Sequence, residues 1–209
     1  MSEHMALENL TVLDLTRVLA GPFCTMMLAD MGANVIKIEV PKGGDDTRSY
    51  PPFRAKNLNG ERESVYFANI NRNKKGITLN LKAPEGKEIF KELVKKADIV
   101  VENYRPGVMD KLGLGYDVLK EINPRIIYAA VSGFGCYGPY HLRPGYDILA
   151  QAMGGMMSIT GSKGGEPTRA GSALGDILGG LHVTIGILAA VNARTITGKG
   201  QRVDVSLMD

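Results

Sequence analysis

One carboxylate, Asp176, stands between a run of small residues and a long apolar segment. Asp176 is the last residue of the stretch GSALGD, and residues 177–193 carry no further charge. The apolar segment is typical of a buried helix that begins at or just after Asp176, and the small residues would let a ligand or another backbone approach closely. The side chain therefore has two interpretations, a cap of the helix N-terminus or a nucleophile or general base at the floor of a site. This stretch alone favours the cap.

Other residue types that do chemistry give weaker signals. The sequence has no G-x-S-x-G motif for a serine hydrolase. The three histidines, His4, His141 and His182, show no metal-ligand spacing, so no metal site is predicted. Cys136 has no histidine placed beside it in sequence and is interpreted as structural.

Several cationic residues follow predicted strands or lie in the long polar connection at 40–63. Such a set at the carboxyl edge of a sheet suits a phosphate-bearing ligand. Any single one of them is more often a solvated surface charge. The candidates are Arg17, Lys42, Arg48, Arg72, Lys74, Lys75, Arg105, Lys111 and Arg143.

The elements that must position these residues alternate between strand and helix, which predicts an α/β fold with a doubly wound parallel sheet. Ligands bind beyond the carboxyl ends of the strands in such sheets. The turn between the first strand and the first helix lacks the G-x-G-x-x-G motif, so the sequence does not favour a nicotinamide-dinucleotide site. Strands are predicted at 11–15, 34–38, 77–81, 98–102, 126–131 and 201–206, and helices at 23–33, 84–96 and 143–161 and after Asp176.

Composition narrows the class of protein further. The chain has 209 residues, 44% hydrophobic and 22% charged, and a net charge of +3, which is too weakly basic to predict a nucleic-acid partner. Its two cysteines, Cys24 and Cys136, fit a reducing compartment, and we expect a cytoplasmic protein. The apolar run after Asp176 is at the short limit for a membrane span, so no membrane association is expected. We expect residues 1–9 to be a disordered lead and residues 10–209 to be the front part of a longer chain.

Seven motifs in order resemble one family, the family III CoA-transferases, which include formyl-CoA transferase, carnitine CoA-transferase and α-methylacyl-CoA racemase. The resemblance covers residues 7–209. The motifs are LDLTRVLAGPFCTMMLADMGANVIKIE, NRNKKGITLNLK, ADIVVENYRPGVMDKLGLGY, NPRIIYAAVSGFG, RPGYDILAQAMGG, ALGDILGGLHVTIGILAAV and TGKGQRVDVSLMD.

The resemblance implies a Rossmann-like large domain that binds coenzyme A, cut off here before a linker and a small domain. It implies acyl-CoA and a small carboxylic acid as substrates and an interlocked homodimer in the full-length protein. Asp176 matches the aspartate of the family's L-G-D motif. This aspartate attacks the acyl-CoA to form an acyl–aspartyl anhydride and then an aspartyl-CoA thioester. A helix N-terminus would help to keep it ionised.

The resemblance also implies the positions that contact CoA. They follow the first strand, the 73–79 segment and the 98–102 strand, or lie along the expected pantetheine path. Asp147 matches an acidic residue near the family's site. The full set is Arg17, Val18, Ala20, Lys42, Lys74, Lys75, Leu79, Asn103, Tyr104, Lys111, Tyr146, Asp147 and Leu207.

Departures from the family pattern bear on specificity. Leu19 stands where formyl-CoA transferase has a glutamine, which argues against oxalate as the substrate. Val40 stands where formyl-CoA transferase has an arginine, and we expect Lys42 to take the place of that arginine. Tyr146 stands where racemases carry a histidine base, which favours transferase over racemase. A racemase-like isomerase and a catalytically silent CoA-binding fragment remain the alternatives.

Overall fold

The computed structural model describes residues 4–54, 60 and 62–209, and its centre is a six-stranded parallel sheet. Its strands are β1 (Thr11–Asp14), β2 (Asn34–Glu39), β5 (Lys75–Thr78), β6 (Ile99–Glu102), β7 (Ile127–Ser132) and β8 (Arg202–Ser206). They are arranged in the order β5-β2-β1-β6-β7-β8, so the direction of winding reverses between β1 and β6. A small antiparallel pair joins β3 (Phe53–Arg54) to β4 (Glu63–Ser64). The predicted α/β doubly wound parallel sheet is confirmed.

Helices cover both faces of this sheet, because successive side chains of a strand point to opposite sides. Val12 and Ile99 pack under α1 and α7, whereas Leu13 and Val100 pack under α3, α4 and α5. The helices are α1 (Ala20–Asp30), α2 (Val65–Ile70), α3 (Pro84–Val94), α4 (Val108–Lys111), α5 (Tyr116–Ile122), α6 (Asp147–Met153) and α7 (Leu174–Thr197). Short 3₁₀ helices lie at Asp46–Ser49 and Met156–Ile159.

Some predicted boundaries need correction. Strand β5 lies at Lys75–Thr78 rather than 77–81, because its register is fixed by pairing with β2. The helix predicted at 143–161 is α6 followed by a separate 3₁₀ turn, since Gly155 between them has a left-handed backbone with φ of 81°. In the predicted disordered lead, Leu7 is buried in the core and its N–H donates to the Met31 carbonyl, while the other described residues of that lead are exposed.

Helix α7 is less buried than the sequence predicts. One face, including Val183 and Ile187, packs onto the sheet, while Leu178 and Ile185 on the other face are exposed. The helix is long and apolar enough to cross a membrane, but this is weak evidence, because the core helices of water-soluble proteins meet the same criterion.

Candidate active site

A cavity of about 140 Å³ opens at the carboxyl edge of the sheet, where the winding reverses between β1 and β6. This is the position at which doubly wound sheets bind ligands. Loops that follow β1, β6 and β7 meet there with the first turn of α7. Predicted site residues at the cavity are Arg17, Val18, Ala20, Asn103, Tyr104, Tyr146, Asp176 and Leu207, and Arg105, Ser132 and Arg143 also line it.

Asp176 sits in the first turn of α7 and does not cap the helix. The N-cap position is Ala173, which has no side chain able to accept a hydrogen bond. Asp147 supplies the missing acceptor: its Oδ1 accepts from the N–H of Gly175 at 2.8 Å and of Asp176 at 3.4 Å. The cap interpretation of Asp176 is therefore wrong, because the Asp147 carboxylate accepts the hydrogen bonds that a cap would accept.

Asp147 is itself held in place from within α6. Its Oδ2 accepts from Gln151 Nε2 at 2.7 Å, and its side chain is buried. It is the first residue of α6, whose own N-cap position is Tyr146. Asp147 is thus a positioning residue behind the cavity rather than a residue of its lining.

Burial raises the pKa of Asp176 to about 6, and the nearby charge of Asp147 adds to this rise. The direction is opposite to that expected from the helix N-terminus, because burial and the Asp147 charge both raise the pKa. The carboxylate is still mostly ionised at neutral pH. A less acidic conjugate acid also makes it the stronger nucleophile.

Tyr66 on α2 belongs to the same electrostatic environment, and sequence reasoning missed it. Burial raises its pKa to about 12, and the charge of Asp176 contributes next. Its phenol is therefore a neutral hydrogen-bond donor at physiological pH. The sequence around Tyr66 carries no motif that would place this residue near Asp176.

Asn103 uses both polar atoms of its side chain on the backbone of Arg17. Its Oδ1 accepts from Arg17 N–H at 2.9 Å and its Nδ2 donates to the Arg17 carbonyl at 2.7 Å. The Arg17 guanidinium lies exposed and 3.4 Å from Asp46 Oδ2. Asn103 thus ties the loop after β6 to the loop after β1, and the Arg17 side chain remains within reach of a ligand.

A second cavity, of about 450 Å³, adjoins the first at Tyr104 and is lined by Lys42 and Leu79. The two cavities together bring ten of the predicted residues to one edge of the sheet. The exposed Lys111 on α4 lines neither of these cavities, although its neighbour Leu112 lines the second.

Besides Asp147 and Lys111, two more predicted CoA contacts lie outside these cavities. Lys74 is buried, and its Nζ donates to Asp14 Oδ2, the Pro22 carbonyl and Asn71 Oδ1 at 2.9–3.0 Å, so no donor is left for a phosphate. Lys75 reaches Asn34 Oδ1, 2.7 Å away at the start of β2. That is the amino edge of the sheet, opposite the cavity. The three partners of Lys74 hold its ammonium group in the interior, and the partner of Lys75 lies away from the site.

Comparisons with known proteins agree with this geometry. The model of CoA-transferase family III matches residues 7–209. The acetyl-CoA:oxalate CoA-transferase of Acetobacter aceti is 50% identical over 97% of this chain and 51% of its own length. The succinyl-CoA:mesaconate CoA-transferase of Haloarcula marismortui is 49% identical over 98% of this chain and 52% of its own. A CAIB/BAIF family protein from Brucella suis superposes with a TM-score of 0.95 at 46% identity, over 99% of this chain and 54% of the other. The chain thus spans about half the length of the relatives it matches.

Proposed function

Because this chain belongs to CoA-transferase family III, we propose that the native protein transfers CoA from an acyl-CoA to a small carboxylic acid, with Asp176 as the nucleophile. One observation carries the proposal. Asp176 lines the same cavity as Arg17, Val18 and Tyr104, which come from distant parts of the chain. A carboxylate nucleophile and the expected CoA contacts therefore meet in one place.

The first half-reaction transfers the acyl group and then CoA to the protein. An Asp176 carboxylate oxygen attacks the thioester carbonyl carbon, the carbon–sulfur bond breaks, and CoA leaves as a thiolate, which gives a mixed anhydride. The thiolate then attacks the Asp176 carbonyl carbon and expels the donor acid as a carboxylate. The product is an aspartyl-CoA thioester.

The second half-reaction is the same sequence in reverse. The acceptor carboxylate attacks the Asp176 carbonyl carbon and expels CoA thiolate, and the thiolate attacks the acceptor carbonyl of the new anhydride. Acyl-CoA leaves and the Asp176 carboxylate returns. No net proton moves in any step, so the chemistry needs no histidine base, which accords with Tyr146 at that position.

The cavity also offers donors for the ligand. Ser132 lines it, and its buried hydroxyl has no hydrogen-bond partner among the residues that the structure describes. Arg143 lines it as well, with its guanidinium 4.1 Å from the centre of the Tyr140 ring. A planar guanidinium held over an aromatic ring suits a carboxylate. Together with relatives named for oxalate and mesaconate, this supports a dicarboxylic acid as the acceptor.

We extend the proposal to the assembly of the native protein, as a homodimer. Its support is the exposed apolar face of α7, which includes Leu178, Leu181 and Ile185. Contiguous apolar surface of this kind marks interaction sites in water-soluble proteins. Analytical ultracentrifugation measures the assembly directly, and a monomer at micromolar concentration contradicts it.

The test replaces Asp176 in the native protein. Asp176→Ala is expected to abolish transfer, and hydroxylamine with acyl-CoA should convert only the wild-type Asp176 to a hydroxamate detectable by mass spectrometry. Asp117→Asn, at an exposed carboxylate on α5, is the control and should retain activity. Undiminished transfer by Asp176→Ala overturns the mechanism. Deuterium exchange at the α-carbon of the acyl-CoA, without CoA transfer, points instead to a racemase. A wild-type protein in which Asp176 stays unmodified points to a catalytically silent CoA-binding protein.

A further inference from the structure

The loop between β1 and α1 has a backbone conformation that its sequence disfavours. Val18, which lines the cavity, has a φ of 68°. A β-branched residue rarely adopts this left-handed region, because its side chain then crowds the backbone. Such a conformation persists only where the surrounding structure holds it, and it is frequent at ligand sites.

A buried ion pair holds this loop from one side. Lys37 on β2 donates to the Thr16 carbonyl at 2.8 Å and to Asp45 Oδ2 at 2.9 Å. Asp45 Oδ1 accepts from the Val18 N–H at 3.2 Å. Both charged side chains are at most 2% exposed. The pair thus contacts the residues on both sides of Arg17.

The partners of Asp45 keep it ionised and fixed. Burial by itself raises the Asp45 pKa, but the charge of Lys37 and the hydrogen bonds from Thr47 hold the pKa below its ordinary value. The Asp45 N–H donates to Glu39 Oε1 at 2.8 Å, which anchors the segment after β2. On the other side of the loop, Asn103 binds the N–H and carbonyl of Arg17.

We propose that the Lys37–Asp45 ion pair is a positioning device for CoA, which holds the backbone of Thr16 and keeps Val18 in the left-handed conformation at the wall of the cavity. The inference rests on the proposed CoA binding and adds two residues to it. A buried ion pair is weak evidence of stability, because apolar residues of similar volume often replace one at no cost. The Lys37–Asp45 pair binds the Thr16 carbonyl and the Val18 N–H, which apolar side chains cannot do.

The experiment is a calorimetric titration of the native protein with CoA, together with the KM and kcat for acyl-CoA. Asp45→Ala removes the acceptor for the Val18 N–H. When the loop is no longer held, the left-handed state becomes a minor one, so the Kd for CoA and the KM should rise by about 5- to 30-fold while kcat changes much less. Asp45→Asn keeps an oxygen at the same place and should restore most of the affinity. A purely structural role predicts no such separation of KM from kcat and no rescue.

Arg194→Met is the matched control. Arg194 is also a buried ion-pair residue, bound to Asp98 at 3.0 Å, but it lies at the end of α7 on the amino edge of the sheet. The loss of Arg194 should change the Kd for CoA by less than about twofold, although it also removes an ion pair whose cation is buried. If Asp45→Ala does not fold, the double variant Lys37→Met/Asp45→Leu replaces it, because no unpaired buried charge remains.

Three outcomes overturn the inference. The first is a folded Asp45→Ala, or double variant, that binds CoA within about twofold of wild type. The second is an equal loss of affinity in Arg194→Met, which would make the effect one of general stability. The third is a wild-type protein that does not bind CoA, in which case the proposed function fails as well. The wild-type titration thus separates failure of the function from failure of the positioning role.

Discussion

Replacing Asp176 by asparagine should make the protein more stable while it abolishes transfer. The folded structure raises the pKa of this carboxyl from 3.8 to about 6, through burial first and Asp147 second. The folded state therefore binds the proton more tightly than the unfolded state does. The wild-type free energy of unfolding must then fall as pH rises through this window.

The size of the effect follows from the shift. One pKa unit corresponds to about 1.4 kcal/mol, so ionised Asp176 destabilises the fold by about 2–3 kcal/mol at pH 7. The penalty shrinks to about 1.5 kcal/mol at pH 5 and about 0.5 kcal/mol at pH 4, where the carboxyl is protonated in the folded state and half protonated in the unfolded state. Asp176→Asn never ionises, so its gain over wild type should follow the same curve.

Urea denaturation of wild type and Asp176→Asn between about pH 4 and pH 8 measures this gain. Asp117→Asn is the control. Lys120 lowers the pKa of the exposed Asp117 carboxylate, so any effect of this substitution on the free energy of unfolding has the opposite sign to that of Asp176→Asn. A gain that does not depend on pH, or a loss of stability at pH 7, would refute the reasoning. Either result would mean that Asp176 is well solvated or neutralised by a partner.

Two further predictions concern activity and binding. Asp147→Asn keeps the oxygen that accepts from the Gly175 N–H but removes the negative charge beside Asp176. The acidic limb of the kcat/KM profile, which Asp176 sets near pH 6, should therefore move to lower pH. The limb should stay in place in the exposed control Asp117→Asn, and a limb that also stays in place in Asp147→Asn contradicts the prediction. Asp46→Asn frees Arg17 from an exposed ion pair and should lower the Kd for CoA by about 1.5- to 5-fold. That gain should disappear at high salt, and weaker binding would show that Asp46 contacts the ligand productively.

The sequence by itself determined the architecture and predicted which residues meet at the candidate site. Strands with a continuous apolar run, such as Ile99 to Val101 in β6, alternate with helical segments, and this pattern is typical of a buried parallel sheet. The family motifs singled out Asp176, and the rule that ligands lie beyond the carboxyl ends of strands placed Arg17 and Tyr104 beside it. The fold class and the meeting of these residues at one edge depend on local pattern and on strand direction, which the sequence contains.

Only the tertiary structure decided which side chains serve each other. Asp147 caps a helix that begins far along the chain at Leu174, and no spacing in the sequence indicates that contact. Lys74 turns inward to Asp14, and Lys75 turns to the amino edge, although both stand in a motif that predicts CoA contact. Long charged side chains take the partner that the packed fold brings within hydrogen-bond distance. The identity of that partner depends on contacts between distant segments, which composition and periodicity do not encode.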